Sequence, residues 1–167
     1  KDSKVLDVIK SIIGDGFSSS LFRKLRTENG LVYMIHVASD NSFDRGHFTV
    51  FTSTSKDRVQ KVLDVLTSEF KRLEAGDFTQ EELDLAKNKI IKSKMREMQT
   101  SSSWVDAHLT EIFLNADKPQ DLAEMLNDVE KISLDNIIDF SKKYFSNDKW
   151  YLAMCGDIKK EDFEVNY

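Results

Sequence analysis

The chain has 167 residues, 40% hydrophobic and 32% charged, with eleven Phe. That is the composition of an ordinary globular protein, long enough for one domain burying roughly 70% of its unfolded surface. Twenty-nine acidic against 24 basic side chains give a net charge of −5, which argues against a nucleic-acid-binding surface, because such surfaces are strongly basic. No apolar run approaches the ~20 residues of a membrane-spanning helix. The lone Cys155 excludes an internal disulfide and leans toward a reducing, cytoplasmic compartment. The chain opens on Lys1, directly ahead of a helical pattern, and reads as an excised fragment or processed product. The absence of a leader sequence therefore carries no information about the parent.

Residues 3–13 are predicted to form a helix, with Val5, Ile9, Ile12 and Ile13 on one stripe. Gly14 and Gly16 end it. Ser18 or Ser19 is placed to cap a second helix, about 19–28, whose apolar face is Leu21, Phe22 and Leu25, and Asn29-Gly30 stops that helix. Leu31 to Ser39 (LVYMIHVAS) is apolar on both faces, as in a strand covered on both sides. His47 to Thr54 (HFTVFTST) alternates. The polar connector from Asp40 to Gly46 makes the two an antiparallel hairpin.

Helices are predicted for most of the remaining chain. Residues 57–75 carry Val59, Val62, Leu63, Leu66, Phe70 and Leu73 at helical spacing, with Gly76 as the stop. Thr79 to Glu82 (TQEE) is a capping box opening a helix to about 99. The QTSSS stretch from Gln99 to Ser103 interrupts it, and another helix begins near Trp104, with Trp104, Phe113 and Leu114 as core. Pro119 suits the first turn of a further helix, and Ser133 caps the last, ending near Phe145. Trp150 to Cys155 (WYLAMC) reads as a buried strand closed by Gly156-Asp157. Helices grouped between strands predict a single α+β unit spanning 1–167, a two-layer sandwich with a mostly antiparallel sheet.

The residues that could carry chemistry are few. Arg26 and Tyr33 stand seven apart on either side of the Asn29-Gly30 turn. A guanidinium can hold a carbonyl or carboxylate, and a phenol can donate to a developing oxyanion. Spacing alone favours the plainer arrangement, in which Arg26 pairs with a nearby carboxylate such as Glu28 and Tyr33 is core. His108 and Glu111 give H-L-T-E, but Ile112 stands where a zinc-binding HxxEH needs its second His. His36 and His47 would be neighbours in a tight hairpin and could hold a metal, but they read more simply as packed strand histidines. Cys155 has no cationic neighbour to activate it. Gly14-Asp15-Gly16 lacks the Lys-Ser/Thr of a phosphate loop. Lys87, Lys89, Lys92, Lys94 and Arg96 form a solvated face.

The segment GDGFSSSLFRKLRTENGLVY, Gly14 to Tyr33, resembles the GG-x-SSRLFxxLRExxGLaY signature of the pitrilysin/insulinase-type zinc peptidases. This is the M16 family, which includes the mitochondrial processing peptidases. The resemblance continues through Gly46-x-Phe48, Leu73 to Gly76, the T-x-E-E-L-x-x-A-K pattern at Thr79 to Lys87, and Gly156. Asp15 replaces a usual Gly, and Ser20 stands where Arg is common.

The resemblance implies the second (C-terminal-type) unit of one half of a clam-like peptidase. Its fold would be the LuxS/MPP-like metallohydrolase sandwich with the first strand missing. It further implies that zinc is held by an HxxEH in another half or subunit, which is the expected partner, and that this chain binds none. Arg26 would grip the backbone of a peptide or small unfolded protein, and Tyr33 would stabilise the tetrahedral intermediate. The fragment alone would be inactive. The rival is a non-catalytic subunit of the same fold, such as a respiratory-complex core protein or a pseudo-peptidase partner. An open sheet edge would favour self-association.

Overall fold

A computed structural model describes residues 2–41, 46–113, 119–145 and 150–164. The first helix, α1 (Asp2–Gly14), buries Val5, Leu6, Val8, Ile9, Ile12 and Ile13, a wider stripe than the spacing predicts. It lies against the inner face of a two-stranded antiparallel sheet, β1 (Ile35–Asn41) and β2 (Gly46–Thr52). Val37 pairs with Val50 at the centre of the register, and Ile35, Val37, Phe48 and Val50 point into the core. Gly14 is required where helix meets sheet. A Cβ there would stand 1.8 Å from Val37 Cγ2 and 2.4 Å from Val37 Cβ.

A short 3-10 turn (Lys56–Arg58) leads into α2 (Val59–Ala75), which Gly76 closes in the left-handed conformation at φ 68°. The reciprocal Thr79–Glu82 capping box starts α3 (Gln80–Glu97). Then come α4 (Ser101–Phe113), α5 (Leu122–Glu130) and α6 (Leu134–Tyr144). Helix α1 packs on α3 and α6, α2 on α6, and α3 on α5. The result is an α+β fold, helix-rich with a small antiparallel sheet. No described helix is long and apolar enough to cross a membrane.

The structure departs from the sequence expectations at several points, each with a physical reason. Leu31 and Val32 make the first strand look apolar on both faces, yet they are buried before it begins at Ile35. The outer face of the strand carries His36, Ala38 and Asp40, opposite Phe51, Thr49 and His47, and is open. His36 and His47 thus sit four rungs apart, roughly 13 Å along the strand. Both are exposed, neither neighbours nor packed. Asp121, not Pro119, starts α5, through a capping box with Glu124.

Residues 150–155 are not a strand. Trp150 stacks on Phe70 at 3.9 Å and on Phe145 at 5.7 Å, but Tyr151 is 95% exposed. The segment makes no backbone–backbone hydrogen bond among the described residues. A strand exists only with a neighbour, and β1 and β2 pair with each other. Helix α4 buries none of its residues, and Phe113 is 72% exposed, so the expected Trp104–Phe113 core is absent there; Leu114 lies outside the described residues. So do 42–45 of the hairpin connector. The Lys-rich face of α3 is only partly solvated. Lys87 donates to the Glu130 carbonyl at 2.8 Å, and Lys89 pairs with Asp15 at 2.9 Å.

Candidate functional site

After Gly16 at φ 83°, the expected second helix forms as a π-helix, Phe22–Glu28. Its cap is not a serine side chain accepting orphan N–H groups. The Ser19 hydroxyl donates to the Gly16 carbonyl at 2.7 Å, tying off the preceding loop. Leu21 and Leu25 are fully buried and anchor the helix to the core. The end closes with Leu31 N–H on the Leu25 carbonyl, six residues back, at 2.8 Å, and Gly30 supplies the left-handed turn at φ 57°.

Tyr33 follows in a bend, two residues ahead of β1, and is 81% exposed; it is not the third residue of a strand. Three side chains fix this bend, none of them signalled by the local sequence. Arg58 donates to the Gly30 carbonyl at 2.8 Å, Thr54 to Leu31 at 2.7 Å and Thr52 to Met34 at 2.7 Å. The one sequence signal that could have pointed to them is the TxT pair at the end of the second strand.

The turn brings Arg26 and Tyr33 together. The Arg26 guanidinium carbon lies 5.0 Å from the Tyr33 ring centroid and 5.1 Å from that of Phe22, one helical turn back. Phe22 in turn meets the exposed Phe17 edge-on at 4.9 Å. Arg26 does not pair with Glu28, which Arg23 takes at 3.2 Å, and it has no ion pair among the described residues. Its N–H donors, held in no ion pair among the described residues, are what it can offer an acceptor. Chemically this is a half-buried donor fork beside an exposed phenol.

The same helix is tied to a fully buried carboxylate. Glu69 of α2 accepts from Ser20 and from Lys24 of the π-helix, and from Arg72 at 3.5 Å. Arg72 in turn contacts both oxygens of Glu82 at 2.5 Å. Burial alone would push the Glu69 carboxyl up, but the hydrogen bonds from Lys24 and Ser20 and the nearby cations outweigh it. They hold the group below the usual carboxylate range.

The described residues do not fit a zinc centre. Glu111 accepts the backbone N–H of Gln120 at 2.7 Å, Ile112 offers no ligand, and the buried His108 Nε2 sits with no hydrogen-bond partner beside Trp104. Among the described residues no group of three or more His, Cys, Asp or Glu could hold a metal ion. Cys155 is exposed.

Comparison with known proteins bears on this geometry. Residues 1–90 match the family model described as the peptidase M16 inactive domain. A non-peptidase homolog, YmxG, from Helicobacter pylori is 30% identical over 159 residues, covering 92% of this chain and 35% of that protein. An uncharacterised zinc protease of the same name from Bacillus subtilis is 23% identical over 144 residues, covering 86% and 35%. A crystal structure of the peptidase M16 inactive domain from Pseudomonas fluorescens superposes with a TM-score of 0.67 at 23% identity, covering 85% of this chain and 34% of that one. The chain thus spans about a third of the length of the curated relatives it matches. With more than half of its length matched by the family model, the chain belongs to the peptidase M16 inactive-domain family.

Proposed function

We propose that this chain is the non-metal-binding unit of a zinc-dependent peptidase acting on peptides or small unfolded proteins. It lines the chamber and presents Arg26 and Tyr33 to a zinc site held by an HxxEH-bearing half or partner subunit. Arg26 holds a substrate backbone carbonyl through its free edge, and the Tyr33 phenol donates to the oxyanion of the tetrahedral intermediate. The observation that carries this reading is the Arg26 guanidinium set within 5.1 Å of the Phe22 ring centroid and 5.0 Å of the Tyr33 one. It stands without an ion pair among the described residues, in a chain where carboxylates outnumber cations.

The test is a peptidase assay on the full-length protein, with and without chelator. Tyr33→Phe keeps the ring that Arg26 stacks on and removes only the hydroxyl. It should lower kcat on the order of 10²–10³-fold with little change in KM, as losing one oxyanion donor does. Unchanged turnover removes the assignment.

A second reading, a non-catalytic subunit with an assembly role, is favoured by one observation: the 30%-identical Helicobacter pylori relative is named a non-peptidase homolog. Chelator-insensitive absence of hydrolysis by the full-length protein, together with a stable complex with an HxxEH-bearing partner, would select it. In either reading the chain also meets further copies of itself, through the open sheet and the exposed 151–155 segment.

A further inference from the structure

We propose that Glu69 is a positioning residue for Arg26: through Ser20 and Lys24 it sets the rotation of the π-helix, so that Arg26 faces Tyr33. This deepens the reading of Arg26 as the substrate-holding fork and rests on it.

A π-helix is rare, occurs mostly as single-turn bulges within α-helices, and is frequent at functional sites. Something outside the backbone must select it over an α-helix at Phe22–Glu28. Two buried leucines, Leu21 and Leu25, fix which face points inward, but apolar contact is non-directional and tolerates rotation. Hydrogen bonds to a buried anion do not. Ser20 and Lys24, four residues apart, converge on one carboxylate on α2, and Lys24 also gives its backbone carbonyl to Asn29 Nδ2 at 2.7 Å. Arg26, two residues beyond Lys24, is thereby directed toward the Tyr33 ring.

The charged groups facing Glu69 are Lys24 from the π-helix, Arg72 from α2, and Glu82 of α3 behind Arg72. The two cations and two carboxylates balance. The network runs on through Glu82, which also accepts the Thr79 N–H at 3.0 Å. The orientation of the fork is therefore referred to the start of α3, across three elements.

The experiment is NMR of this 167-residue chain, reading the ring-current displacement of the Arg26 side-chain Hε and Hδ resonances by Tyr33. In Glu69→Gln, which keeps the size and removes the charge, these resonances should collapse toward those of an unstacked arginine while the dispersed amide spectrum persists. Should that variant unfold, Glu69→Leu with Lys24→Met replaces the pair by apolar side chains, an exchange that proteins often accept without loss of stability; the same collapse is expected. A folded variant of either kind with the Arg26 displacement intact overturns the proposal and leaves Glu69 a structural anchor only.

Peptide hydrolysis by the full-length protein separates this from the underlying reading. If Arg26 is displaced and KM and kcat are unchanged, the positioning stands and the substrate-holding role fails. If Arg26 is unmoved while activity changes, the positioning fails.

Discussion

Gly14→Ala should destabilise this protein more than its conservative appearance suggests, and its geometry says why an obvious rescue fails. Gly14 closes α1 with an ordinary backbone, unlike Gly16, Gly30 and Gly76, so an alanine meets no backbone strain there. The cost is in the approach to the sheet. The new Cβ would lie 1.8 Å from Val37 Cγ2 and 2.4 Å from Val37 Cβ. Turning the Val37 rotamer moves the first atom and not the second, so α1 and β1 must separate. Val37 is buried against Val50 and α1, and overpacking of this kind costs about 1–3 kcal/mol or somewhat more. Replacing Gly by Ala in a helix returns about 0.5–1 kcal/mol. The net is about 1–2 kcal/mol of destabilisation, to be set against a domain's typical margin of about 5–15 kcal/mol. Urea unfolding followed by circular dichroism should show the midpoint falling with an unchanged slope. Gly14→Ala/Val37→Ala should not recover it, because the Cβ–Cβ contact persists. A Gly14→Ala variant as stable as the parent, or full rescue by Val37→Ala, would refute the reasoning.

Acid should expose the Glu69 network. Its folded pKa lies below the ordinary 4.5, so its contribution is complete above that value and lost as pH falls through the lower folded one. Urea midpoints measured from neutral pH down into the acid range should fall over this window in the parent and lack that component in Glu69→Gln, while Glu69→Ala should cost about 3–5 kcal/mol at neutral pH. Thr79→Ala should cost about 1 kcal/mol through the capping box alone. Glu82→Ala should exceed it, since Glu82 also holds Arg72, a bond to a charged group worth about 1.5–3 kcal/mol; equal costs by thermal melting would show that the Arg72 contact contributes nothing. Light scattering after gel filtration should find concentration-dependent association weakened by Leu152→Lys, and a strictly monomeric parent would remove the self-association proposal.

How legible the fold was in the sequence depended on whether the deciding contact was local. Gly76, Thr79 with Glu82, and Ser133 with Asn136 act over only a few residues, and the helices they bound fall where the pattern puts them. Asp121 was equally local, but Pro119 drew the helix start too early. Periodicity reports that a helix has an apolar face and is silent on what covers it: α4 presents Val105, Leu109 and Ile112 to solvent. The same limit governs WYLAMC, whose composition is that of a strand and whose partner is not among the described residues. The resemblance singled out Arg26 and Tyr33; their meeting depends on Thr52, Thr54 and Arg58, up to 28 residues away, and no local rule reaches that far. The π-helix was invisible for a related reason, since its selection rests on a carboxylate 49 residues from Ser20.

The pairing of a guanidinium with two rings and no carboxylate carries a consequence for which substitutions can be called conservative at position 26. Each exposed cation–π contact is worth about 0.5–1 kcal/mol, and lysine can also sit over an aromatic face. Lysine has no plane, however. Its ammonium would have to choose between the rings and an incoming carbonyl, whereas arginine stacks by its face and binds by its edge at once. Arg26→Lys should therefore leave the melting temperature nearly unchanged while raising KM in the full-length protein. Arg26→Gln, losing the charge but keeping a planar polar end, should fail on both counts. If Arg26→Lys hydrolyses peptide with an unaltered KM, the planar fork is not what holds the substrate. Its stacking between Phe22 and Tyr33 would then be a packing feature of the helix end.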